Sequence, residues 1–134
     1  MTASIAKGSF DVQLTQAPAA PGTEAAKLGR MSLRKQFHGG LDAVSLGEML
    51  GVRTDIPDSA GYVAMERVEG SLAGRKGSFA LMHMGEMNRG KQTLTIRVVP
   101  DSGTDELAGI SGELSIEIKD GHHFYEFRYQ LPTH

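Results

Sequence analysis

The sequence predicts an all-β chain: one antiparallel β-barrel of about eight strands, with little or no helix. Three observations carry that prediction. The 134 residues include seventeen glycines and five prolines and offer few long helix-forming stretches. Runs of alternating apolar and polar residues recur along the chain, the period that lays one face of a strand on a core. The segment L-A-G-x-x-G occurs twice, at residues 72–77 and 107–112, each time after a polar stretch and before an alternating run. Glycine accepts the positive φ that tight reversals require, so these segments read as turns between antiparallel strands. Eight strands can close on themselves and leave no unpaired edge, and a two-sheet sandwich is the competing arrangement.

The elements follow in order. Phe10, Val12 and Leu14 alternate with Asp11, Gln13 and Thr15 and form the first strand. A Pro/Ala-rich connection follows, in which residues 21–27 can make a single helical turn capped by Thr23. Met31, Leu33 and Phe37 share one face of the next strand. Gly39-Gly40 then reads as a two-residue hairpin leading into a strand whose inward residues are Val44, Leu46, Glu48 and Leu50. A second long loop, residues 53–61 with Pro57, precedes a strand from Tyr62 to Glu69.

Three later reversals give explicit registers. Centred on Ala73-Gly74, Val68 meets Phe79, Glu66 meets Leu81 and Ala64 meets His83. Centred on Asn88-Arg89, His83 meets Leu94, Leu81 meets Ile96 and Phe79 meets Val98. Asp120-Gly121, a type I′ pair, sets Ile118 against His123, Ile116 against Tyr125, Leu114 against Phe127 and Glu113 against Arg128. Apolar residues face apolar residues in all three, and a one-residue slip would destroy every match.

Composition narrows the function classes. A formal net charge of −2 and a pI near 6.2 give no electrostatic footprint for nucleic acid or anionic membrane. Cysteine is absent, which removes disulfides, thiolate nucleophiles and zinc–thiolate sites. Residues 1–10 lack the apolar run of a secretory signal, and no run approaches the roughly 20 apolar residues that span a bilayer. A single-domain, soluble, cytoplasmic protein of residues 1–134 is expected. Phosphate-binding loops, nucleophile elbows and dinucleotide fingerprints are missing, and no cofactor is implied. The acidic stretch 101–105 reads as a turn, lacking calcium-loop spacing. His122 and His123 point to opposite faces and cannot chelate one metal together, while His38 and His134 are expected on the surface. No metal site is expected.

The chemistry-bearing positions are those that interrupt the alternation. Lys35, Glu48, Glu66, His83, His123, Tyr62, Tyr125 and Tyr129 fall on the parity assigned to the interior. Buried charges are costly unless paired or hydrogen-bonded. Glu66 and His83 lie one diagonal step apart on adjacent strands, within reach of each other, and a symmetric loop around Pro57 would set Glu48 opposite Glu66. The pair reads either as an acid–base couple or as a satisfied pair that only pins register, with Lys35 at a strand end in solvent. On the opposite parity, Val63, Met65, Met82, Met84, Val99 and Phe124 are too many apolar residues for a fully solvated wall, and a subunit interface accounts for them.

Several stretches carry a family resemblance: residues 62–67, the segment 70–79 with its Gly-Ser-Leu-Ala-Gly-Arg-Lys-Gly-Ser-Phe run, His83, residues 100–112, and the ending 121–125 with Tyr129 and Leu131. Together they resemble the bacterial family called domain of unknown function 3224, over most of the chain from about Gly8 to Leu131. The resemblance implies a small eight-stranded barrel like that of plant allene oxide cyclase and dirigent proteins, whose members handle small apolar ligands and often form trimers. It supplies no catalytic residues, because the cyclase's constellation matches no motif here, and only architecture is transferred.

Three functional readings follow. The barrel holds a small apolar molecule, oriented by Glu66 and His83 with Glu48, Tyr62 and Tyr125 as further ligand contacts. Or it is a cofactor-free isomerase or cyclase passing a proton between Glu66 and His83. Or its interior is packed solid and it serves as an interaction module. A homo-oligomer, dimer or trimer, is expected under each.

Overall fold

In a computed structural model describing residues 3–132, eight antiparallel strands close into a barrel in which every strand pairs with its sequence neighbours and the last returns to the first. They are β1 (Ser4–Ala17), β2 (Gly29–Gly39), β3 (Leu41–Arg53), β4 (Ala60–Leu72), β5 (Arg75–Asn88), β6 (Lys91–Val98), β7 (Ser111–Lys119) and β8 (His122–Gln130). Among the described residues, helix is confined to two single 3₁₀ turns, Glu24–Ala26 and Asp105–Leu107. Thr23 occupies the cap position of the first, but its hydroxyl donates to the Ala20 carbonyl instead of accepting from the turn. The expected His134 surface position lies outside the described residues.

Two of the three registers hold pair for pair. Val68 faces Phe79, Glu66 faces Leu81 and Ala64 faces His83 across β4 and β5, and Leu114 faces Phe127 across β7 and β8. Both hairpins turn on two residues with positive φ, Ala73-Gly74 and Asp120-Gly121, as type I′ geometry requires. The β5–β6 register is shifted by two: the turn sits on Arg89-Gly90, so Leu81 meets Val98 and His83 meets Ile96. A shift of two preserves the face of every side chain, and Leu81, His83, Ile96 and Val98 all remain inside.

The β2–β3 connection differs in a way that does change faces. Phe37 pairs with Ala43, so an odd number of residues separates the partners and the reversal is not a two-residue hairpin on Gly39-Gly40. Every side chain of β3 therefore sits one step from its expected face. Ala43 and Ser45 are buried, whereas Val44, Leu46, Glu48 and Leu50 point outward. The strands flanking the Pro57 loop also run longer than expected, leaving only residues 54–59 between them.

The two ends of the barrel are unlike. One end is filled by Phe37, Phe79, Phe127, Leu41, Leu72 and Val68, none more than 1 % exposed. Phe79 and Phe127 stack at 5.5 Å, and Phe37 meets Tyr125 edge-on. The two L-A-G-x-x-G copies both contribute to this plug through their leucines, Leu72 and Leu107. Only the first copy is a hairpin; the second closes the 99–110 connection that leads into β7. That connection replaces β6 beside the start of β5, with Val99 N–H bonded to Ala80 O and Thr104 N–H to Ser78 O. As a result β6 and β7 share one bridged pair, Arg97 with Glu113, and form the thinnest seam of the wall.

Candidate functional site

The opposite end is open. Met31, Met49, Gly51, Tyr62, Gly85 and Leu94 line a basin of about 970 Å³ at the barrel mouth. Tyr62 lies against Gly85, its direct partner on β5: a Cβ on Gly85 would stand 2.3 Å from the Tyr62 ring. Glycine at that position is what allows the phenol to rest on the neighbouring strand. Burial raises the Tyr62 pKa above 10.0, and the negative charge of Glu66 adds to the effect.

Beneath Tyr62 along β4 come the inward positions Ala64 and Glu66. Glu66 is opposite Gly47 on β3, where a Cβ would collide with the Met65 carbonyl and the Glu66 backbone. The carboxylate has no exposed surface. Lys35 Nζ donates to its Oε2 at 2.9 Å from β2, and His83 Nε2 stands 2.8 Å from the same oxygen from β5. The His83 approach is short but off the line of an N–H bond, leaving Nε2 without an aligned partner. The Lys35 ammonium also lies 5.1 Å from the Phe10 ring centroid and 5.8 Å from that of Phe37, positions that favour a cation over an aromatic face.

Burial alone would raise the Glu66 pKa. The hydrogen-bonding reach and charge of His83, with the charge and bond of Lys35, outweigh that penalty and hold the carboxyl below its ordinary 4.5. Glu66 is therefore an acceptor in the folded protein. Among the described residues, two buried oxygens of this belt have no partner: Glu66 Oε1 and Ser45 Oγ.

The structure thus brings Glu66 and His83 into contact, sets Tyr62 above them on the same inward face, and leaves two other candidates elsewhere. Glu48 is a correction. It faces solvent on the outer wall, opposite Met65 and not Glu66, and binds Arg30 through contacts of 2.7 and 2.9 Å. The one-residue change at the β2–β3 reversal put it there. Tyr125 is inside, but at the plugged end, where its hydroxyl accepts from Leu41 N–H (2.9 Å) and faces the carbonyls of His38 (2.8 Å) and Leu41 (3.1 Å). Its oxygen is committed to backbone. Burial pushes this phenol up, opposed by the Leu41 bond and reinforced by the charge of Asp42.

Lys35 has the inward parity, and the alternative that sets it at a strand end in solvent is wrong. It lies mid-strand between the buried Leu33 and Phe37, and its parity was the available signal. Ser45 was missed because β3 was read on the wrong face. Among the described residues no group of three or more His, Asp or Glu side chains is arranged to hold a metal, and no helix is long and apolar enough to cross a membrane.

The comparisons agree with this architecture. No curated protein matches the chain. A crystal structure of a protein of unknown function from the DUF3224 family of Shewanella oneidensis MR-1 is similar over 98 % of this chain and 99 % of its own, with 46 % identity and a TM-score of 0.90. The family model described as "Protein of unknown function (DUF3224)" matches residues 6–129, and the chain belongs to that family.

Proposed function

We propose that this barrel binds a small, largely apolar molecule at its open end, with Tyr62 and the Lys35–Glu66–His83 belt as the polar floor. One observation carries the reading: a basin of about 970 Å³ opens at the end of the barrel whose deeper layers hold buried charges, and one carboxylate oxygen of that belt has no partner among the described residues. Ligand sites are typically apolar concavities with a few convergent polar groups. The allene-oxide-cyclase-like comparison belongs to the same reading, as an analogy of shape. So does a bacterial, cytoplasmic setting, with which the cysteine-free composition agrees.

Uptake of the fluorescent apolar probe N-phenyl-1-naphthylamine tests it. One equivalent per chain is expected, lost on Met49→Glu in the basin and kept on Met84→Glu on the outer wall. The reverse pattern would move binding to the outer surface and end the proposal.

The 2.8 Å contact between Glu66 and His83 supports a second reading, a cofactor-free isomerase or cyclase in which the two pass a proton. If a substrate is found, Glu66→Gln should abolish turnover while the variant still takes up the probe. Unchanged turnover would remove this reading.

The outer wall supports self-association. Leu50, Val63 and Met84 form one cross-strand row on β3–β5, with Met65 and Met82 in the next. Leu46, 63 % exposed, extends the patch, and Glu48, Arg67 and Arg97 border it. Beside it Ala19, Leu28, Leu50, Val63, Met65 and Met82 line a groove of about 670 Å³ under the 18–28 connection. A homo-oligomer, dimer or trimer, would cover this face. Analytical ultracentrifugation should show a multimer that dissociates on Met65→Glu; a monomer at all concentrations would refute it.

A further inference from the structure

Glu66 uses its two oxygens unequally. Oε2 receives Lys35 and faces His83, while the equally buried Oε1 receives nothing. Ser45 pairs directly with Lys35 across β2 and β3, and lies two residues from Gly47, the partner of Glu66. Its hydroxyl, 1 % exposed as a residue, bonds no group of the described residues. Buried polar atoms without partners are rare, and each calls for a specific explanation.

The two atoms define their missing partner by chemistry. An ionised carboxylate oxygen only accepts, and a serine hydroxyl both donates and accepts. A single group can serve both if it donates to Oε1 and accepts from Ser45. It must also be neutral, because Lys35 and Glu66 already cancel each other. A second anion there would face Glu66 and a second cation would face Lys35. Ketone and ether oxygens bring only lone pairs to a carboxylate that needs a proton donor.

We propose that this position takes the hydroxyl group of the ligand, so that the barrel selects apolar alcohols over aldehydes, ethers and carboxylates of the same length. The inference rests on the small-molecule reading above. Tyr62 follows Ala60 on the inward face of β4 at the mouth and precedes Ala64 and Glu66, and its ring lies on Gly85. Movement of that ring off Gly85 admits the ligand's head, while the apolar tail stays among Met31, Met49 and Leu94 in the basin.

Displacement of N-phenyl-1-naphthylamine by 1-decanol, decanal, methyl nonyl ether and decanoate tests the selection. The alcohol should displace the probe at a concentration about tenfold below the others, the ratio for one hydrogen bond to a buried charged group. Ser45→Ala removes an unbonded hydroxyl and should leave the fold intact while shrinking the alcohol's advantage severalfold. Equal displacement by alcohol and ether would mean that water satisfies both oxygens; the hydroxyl proposal then fails and the basin reading stands. If the probe itself does not bind, both fall together.

Discussion

The plugged and open ends of this barrel are built on opposite rules. At the plugged end Phe37, Phe79 and Phe127 fill the lumen, and the Tyr125 hydroxyl is bonded to backbone. At the open end methionines, glycines, leucines and one phenol share the lining with the charged Lys27, Arg30, Arg53 and Glu86, and the belt in the layers beneath holds two oxygens with no partner among the described residues. Dense packing with satisfied polar atoms is what stability requires. Unsatisfied polar atoms are what a binding site tolerates. Under the proposed reading, the stability of the fold and binding are set on different layers of the same strands.

Mutations can separate the two layers. The largest loss is expected from Phe127→Ala, which removes a ring stacked on Phe79 and on Tyr129; about 3–5 kcal/mol should disappear in urea unfolding, with probe uptake by the folded fraction unchanged. Glu66→Leu leaves the Lys35 ammonium buried without its counter-charge and should cost about 3–5 kcal/mol. The double variant Lys35→Met/Glu66→Leu should recover most of that loss. A double variant no better than the single would show that the charges, not their mismatch, hold the belt.

Acid provides a reversible version of the same experiment. The Glu66 carboxyl titrates below its ordinary 4.5 when folded, so the folded state binds fewer protons than the unfolded state in this range. Its contribution is complete above the unfolded value and is lost as pH falls through 4.5 towards the folded value. Melting curves of the parent protein should drop through that window, and those of Lys35→Met/Glu66→Leu should drop less. Tyr125→Phe should cost about 1–3 kcal/mol, since Leu41 N–H loses its buried acceptor, with no change in probe affinity. A weakened affinity would tie the two ends together after all. The smallest effect belongs to Glu48→Gln: an exposed pair with Arg30 contributes about 0–1 kcal/mol, and binding should not change.

What the sequence revealed follows from how each reversal is built. Asp120-Gly121 and Ala73-Gly74 are two-residue turns with positive φ at both positions, and such turns dictate register outright. The β5–β6 turn moved by one residue, to Arg89-Gly90, which shifts the register by two and leaves faces unchanged. The pairing of Glu66 and His83 therefore survived in full. Gly39-Gly40 was different, because two adjacent glycines permit turns of several lengths. The choice of length flipped β3, moved Glu48 outside and hid Ser45. Patterning could not repair the error, since Val44, Leu46 and Leu50 are apolar and still face outward. An apolar stripe left on the outer wall and one bound for the core are alike in a single sequence.

The one-pair seam between β6 and β7 has a kinetic corollary. A closed wall breathes where its ladder has fewest rungs, and amides there lose protection first. Deuterium should enter β6 along its β7 side well before it reaches the thirteen-pair ladder of β4 with β5. The barrel would then part along this line, much as a zip opens at its shortest run of teeth.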